Sequence, residues 1–148
     1  MTVSTLTIKQ TLKKPPFCTS DMLVFDAAVE IAEIDVNALA VVDDDTLVGI
    51  ITDHDIIRCL ADTATEFSSQ KVADWMSSKV ITCSPDTKMT AALNLMASRS
   101  IRHLVVAEET KPLTVISSKE LLTSVHQNDE LEIRVLQDLA RVTHGSVA

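Results

Sequence analysis

Thr52 and Asp55 are the pair whose types and spacing fit recognition of a polyhydroxy ligand. A carboxylate offers two oxygens, enough to accept both hydroxyls of a ribose. A threonine hydroxyl at a helix start, beside unpaired backbone N–H groups, suits a phosphate. The same residues also form a capping box with no ligand, Thr52 as N-cap and Asp55 three positions on. Gly49 lies just upstream. Glycine inside a strand gives up packing, and often marks a close approach by a ligand or by another backbone. His54 and Asp55 are adjacent, so on a helix they point about 100° apart and do not face one another as an acid–base pair. No Ser-His-Asp, Cys-His or H-E-x-x-H arrangement stands out. A binding protein is expected rather than a small enzyme.

These residues sit where Leu47 to Ile51, read as a strand, runs into a helix from about Asp53 to Ala61. Upstream, Ser20-Asp21 is expected to start a helix. Val24, Ala27, Ala28 and Ile31 give that helix one apolar face. Ala38 to Val42 reads as a strand covered on both sides. Asp43-Asp44-Asp45-Thr46 is a polar turn, where aspartate serves local hydrogen bonding rather than a metal. A short amphipathic piece, Leu6 to Leu12, precedes Lys13-Lys14-Pro15-Pro16, which the prolines hold extended.

The pattern then recurs. Asp86 follows Asp21 at an offset of 65 positions, and Met89, Ala92, Leu93 and Met96 repeat the apolar helix face at that offset. Leu104 to Val106 falls on the first buried strand, Leu113 to Ile116 on the second. Ser117-Ser118-Lys119-Glu120 falls on Thr52-Asp53-His54-Asp55. One offset across four elements identifies an internal duplication. The expected division is a first repeat with its N-terminal segment (1–62), a linker (63–76), a second repeat (77–126) and a C-terminal helix (127–148). Ser118 to His126 is expected to be helical. Gln127-Asn128-Asp129 is expected to interrupt or bend it before a stripe of Leu131, Val135, Leu139 and Val142. Trp75 and Met76 read as packing residues.

Composition narrows the function. The net charge of −8 argues against binding nucleic-acid backbones, and 3% aromatics leave no stacking platform. Apolar runs of about five residues are far short of a membrane span. The N-terminus lacks the pattern of an export signal, so a cytoplasmic location is the default. The three cysteines, Cys18, Cys59 and Cys83, read as buried thiols in a reducing compartment.

Gly49-Ile50-Ile51-Thr52-Asp53-His54-Asp55-Ile56 closing the first of two repeats resembles the paired cystathionine β-synthase (CBS) domain, or Bateman module. Ala38 to Asp45, Val72 to Met76 and Ser100 to Val106 carry the resemblance further, over about residues 8–126. It implies an α/β fold of two βαββα repeats about a pseudo-two-fold axis, with two clefts between them. It implies a regulatory adenosine ligand such as AMP, ADP, ATP, S-adenosylmethionine or NAD(H), and a homodimer. Asp55 would then hold ribose, Thr52 phosphate, and Arg102 and His103 would face the phosphates from the second repeat. Ser117 and Glu120 would be their counterparts in the other cleft. There Thr114 replaces Gly49 and Glu120 replaces Asp55, so that cleft is expected to be weak, altered or empty. The alternative is a dimeric scaffold with empty clefts.

Overall fold

The computed structural model describes residues 1–144; at positions 8–9, 127–132, 134–136, 139 and 142–144 only the backbone is described. The chain runs α1 (Val3–Lys9), β1 (Phe17–Cys18), α2 (Val24–Ile34), β2 (Ala38–Asp43), β3 (Thr46–Thr52) and α3 (Asp53–Thr63). A 3-10 segment (Ala64–Ser69) and α4 (Val72–Trp75) follow. Then come β4 (Thr82–Cys83), α5 (Met89–Arg99), β5 (His103–Glu108), β6 (Lys111–Ser117) and α6 (Ser118–His144).

Two three-stranded sheets result, β1-β2-β3 and β4-β5-β6. In each, the short first strand pairs parallel with the second and the last two form an antiparallel hairpin. The offset of 65 persists to the irregularities. A register shift between Val41 and Val42 recurs between Val106 and Ala107. The left-handed residues Asp35 and Asp44 recur as Ser100 and Glu109. The duplication is thus α/β in both halves, two βαββα repeats about a pseudo-two-fold axis.

Each repeat has its own core. Leu39, Val41 and Ile51 of the first sheet pack with Val24, Ala27 and Ile34 of α2. Leu104, Val106 and Ile116 pack with Met89, Ala92 and Met96 of α5. A third cluster joins the sheets: Ala38, Ala40, Val105 and Val115, with Ile50 against them. Ala40 and Val105 are equivalent positions, as are Ile50 and Val115, so the axis passes through this contact. Alternation along β2 and β3 separates the residues facing the helices from those facing the other repeat.

The segments before each repeat are exchanged. Val3 and Leu6 of α1 belong to the second core. Val3 N–H donates to Thr87 O and Ser4 N–H to Pro85 O, both at 2.8 Å. Val72 of α4, by contrast, is buried in the first core, and its N–H donates to Met22 O at 2.9 Å. Grouping residues 1–62 as one unit therefore follows the chain but not the packing.

Two local expectations are corrected. Helix α2 starts at Val24 after Leu23, with no side-chain cap. Ser20 is not a cap, because its N–H and hydroxyl both donate to the Asp43 carboxylate at the end of β2. These bonds hold Asp43 below the usual carboxylate range. Helix α6 is continuous from Ser118 to His144, so Gln127-Asn128-Asp129 does not interrupt it. Those residues are moderate helix formers, and neither glycine nor proline is among them. The side chains of Leu131, Val135, Leu139 and Val142 lie outside the described residues. Trp75 does pack on the first core, its indole N–H donating to Gln70 Oε1 at 3.1 Å.

Candidate functional site

Two clefts open at the junction of the repeats. The first, about 380 Å³, is formed by the end of β3 and start of α3 with the segment entering β4 and the loop before β5. Thr52 and Asp55 line it together with Arg102 and His103 of the other repeat. The structure brings these four sequence-predicted residues to one cavity. Lys79 and Ser77, from the connecting segment, line the same space. Sequence reading missed Lys79, a lone lysine in a polar stretch.

Thr52 and Asp55 form the capping box. Asp55 N–H donates to Thr52 Oγ1 at 3.3 Å, and Thr52 N–H donates to Asp55 Oδ2 at 2.9 Å. Thr52 Oγ1 also lies 3.1 Å from Oδ2. Arg58 Nη2 meets the other oxygen, Oδ1, at 3.2 Å. That arginine is 55% exposed and the carboxylate 15% exposed, so the pair is at the water boundary and readily exchanged. A carboxylate has about four lone-pair positions. One stays open with Arg58 in place, and two once it leaves.

Gly49 is not at the cleft wall. It is buried, and a Cβ there would meet Met76 Sδ at 2.6 Å and Ser77 O at 2.9 Å. Of the two approaches its glycine allowed, the one seen is by backbone. Ile50 and Ser77 exchange both main-chain hydrogen bonds at 2.9 Å. Glycine here lets the connecting segment lie across β3 and deliver Ser77 and Lys79 to the cleft.

His103 lines both clefts. Its Nε2 is buried with no hydrogen-bond partner among the described residues. Burial pushes the imidazole below its ordinary value, opposed by Asp53, Glu120 and Asp55 and assisted by Arg102. A buried ring nitrogen without a partner is uncommon in a folded protein, and it sits on a residue shared by both clefts.

The second cleft, about 540 Å³, holds Ser117 and Glu120. They form the equivalent capping box, with Glu120 N–H donating to Ser117 Oγ at 3.1 Å and Ser117 Oγ donating to Glu120 Oε1 at 3.0 Å. Its chemistry differs. Gln10, from the segment after α1, donates to Glu120 Oε2 at 3.0 Å and to Val115 O at 3.2 Å. Buried Thr114 donates its hydroxyl to Gln10 Oε1 at 2.9 Å. Both Glu120 oxygens are thus engaged within the chain.

The model of the CBS domain matches residues 8–62 and 72–127. The protein YlbB of Bacillus subtilis is 34% identical over 116 residues, covering 76% of this chain and 77% of its own. The mitochondrial CBS domain-containing protein CBSX3 of Arabidopsis thaliana is 33% identical, covering 77% of this chain and 58% of its own. Among solved structures, the CBS domain pair of protein MJ0100, in complex with 5′-methylthioadenosine and S-adenosyl-L-methionine, superposes with a TM-score of 0.71. That pair is 25% identical, over 84% of this chain and 99% of that one. Among the described residues no helix is long and apolar enough to cross a membrane.

Proposed function

The chain belongs to the CBS-domain family, with two copies of the domain in tandem; from that premise we propose a non-catalytic regulatory module whose first cleft binds an adenosine-bearing ligand such as AMP, ADP, ATP or NAD(H). One observation carries this reading. Thr52 and Asp55 of one repeat and Arg102 and His103 of the other share a single cavity, with Lys79 beside them. A carboxylate and a hydroxyl share the cavity with three basic side chains, which suits a sugar joined to a phosphate. The relative solved with two adenosine compounds supports the same ligand class. In this reading Asp55 accepts the ribose hydroxyls as Arg58 withdraws, while Thr52, Lys79, Arg102 and His103 hold phosphate. Because the ligand touches both repeats, it favours one relative angle of the halves, and that preference is the signal.

We further propose that the module is a homodimer. Ile57 on α3 and Leu122 on α6 occupy equivalent positions and are 62% and 57% exposed. Phe25 and Val29 add apolar surface on α2. Such faces suit an isologous contact.

Titration calorimetry with AMP, ATP and NADH tests the cleft. Asp55→Ala is expected to weaken the best ligand about 10- to 100-fold, the value of hydrogen bonds to a charged acceptor. Asp55→Asn, which keeps an acceptor for the cap, separates this from a folding defect. Unchanged affinity in both would remove Asp55 from the site.

A further inference from the structure

The carboxamide of Gln10 is inserted among the polar groups of the second cleft. Its three partners, Thr114, Val115 and Glu120, are the second repeat's equivalents of Gly49, Ile50 and Asp55. In the first cleft, the Ser77 peptide exchanges hydrogen bonds with Ile50, and Asp55 is left to exposed Arg58. In the second, a side-chain amide takes the main-chain acceptor of Val115 and continues to the carboxylate. The residue change from glycine to threonine belongs to the same arrangement. Among the described residues no main-chain pairing with Val115 matches that of Ser77 with Ile50, a β-branched residue stands at the glycine's position, and its hydroxyl fixes the amide by donating to the carbonyl side. The amide thereby presents an N–H donor to a carboxylate and a main-chain carbonyl, as a nucleoside's hydroxyl and amino groups would.

We propose that Gln10 is a built-in occupant of the second cleft, standing in for a donor-bearing nucleoside and keeping it out until residues 10–12 withdraw. The proposal rests on the reading of the clefts as nucleotide sites, and it concerns only the second. The barrier is set by one hydrogen bond to a carboxylate and two between neutral groups, all lost when the segment leaves. Ligand entry is then tied to the N-terminus. The segment continues from α1, whose first turn is bonded to Pro85 and Thr87 of the second repeat. A ligand in this cleft would loosen the exchanged helix, whereas a ligand in the first cleft would not.

The test uses the full chain with AMP as the probe. Asp55→Ala weakens the first cleft, and into it are placed Gln10→Ala and, separately, Gln10→Met, which keeps side-chain bulk without the amide. Both double variants are expected to bind AMP at least about tenfold more tightly than Asp55→Ala alone, since the competent fraction of the second cleft rises. Hydrogen exchange at the α1 amides, measured without ligand, is expected to quicken at least about tenfold in both. If wild type binds AMP but the double variants gain nothing, the occlusion is refuted while the first-cleft assignment stands. If wild type binds none of AMP, ATP and NADH, the first-cleft assignment falls, and unchanged α1 exchange would overturn the latch on its own evidence.

Discussion

Replacing Gly49 by alanine tests how the first cleft is built. An ideal Cβ at this position lies 2.6 Å from Met76 Sδ, 2.9 Å from Ser77 O and 3.2 Å from Met76 Cγ. The thioether can swing aside at little cost, because methionine has several rotamers. The carbonyl cannot move freely. Ser77 O accepts from Ile50 N–H and Ser77 N–H donates to Ile50 O, each at 2.9 Å. The added methyl must therefore lift the connecting segment off β3 or strain both bonds. Overpacking of this kind costs about 1–3 kcal/mol. Loss of glycine's freedom in the unfolded chain returns about 0.4–1 kcal/mol. A net destabilisation of about 1–2 kcal/mol is expected, read by urea denaturation as a lower midpoint with an unchanged slope. Ligand affinity should fall as well, since the displaced segment carries Lys79. Adding Met76→Ala removes two of the three close contacts but leaves the carbonyl, so a double-mutant cycle should show partial coupling and incomplete recovery. Stability of Gly49→Ala within about 0.5 kcal/mol of wild type would refute the close-approach explanation.

Other expectations follow from the same geometry. Burial pushes the Cys18 thiol up to about 12 and the Cys83 thiol up to about 11, and raises Cys59. All three should resist iodoacetamide at pH 8 in the folded protein and react after unfolding; modification at the native rate of a free thiol would contradict their burial. His103 is depressed below its ordinary value of 6.5, so the folded state binds fewer protons than the unfolded one as pH falls. Its contribution is therefore complete above pH 6.5 and declines below it, a slope that His103→Ala should flatten. A phosphate in the first cleft would raise the same group, so affinity for AMP should strengthen as pH falls, and a pH-independent affinity would remove His103 from the contact. Ile57→Glu with Leu122→Glu should convert the proposed dimer to monomer by light scattering; an unaltered mass would place the interface elsewhere.

Much of the fold could be read locally. Val24, Ala27 and Ile31, and their counterparts Met89, Ala92 and Met96, show a helical period with no knowledge of tertiary contacts. The strand Ala38 to Val42 and its hairpin partner are bounded by an aspartate-rich turn. What could not be read depends on distant partners. Nothing near Val3 and Leu6 indicates that they complete the second core, about eighty residues away along the chain. Ser20 has the form of a cap, but Asp43, its hydrogen-bond partner, is 23 residues away along the chain. Gln10 is an ordinary polar residue in a short amphipathic piece until Thr114 and Glu120 are placed beside it. A signal was nevertheless present: the paired departures of Thr114 and Glu120 from Gly49 and Asp55 marked the second cleft as altered, without naming the residue responsible.

The Thr52–Asp55 cleft is tested most directly by a crystal structure of the protein grown with saturating AMP. Nucleotide density is expected between the start of α3 and the loop before β5. The ribose hydroxyls should lie within hydrogen-bonding reach of Asp55, with Arg58 turned away and the phosphate against Lys79, Arg102 and His103. Density bound elsewhere, or an empty first cleft with Arg58 still paired to Asp55, would contradict the account.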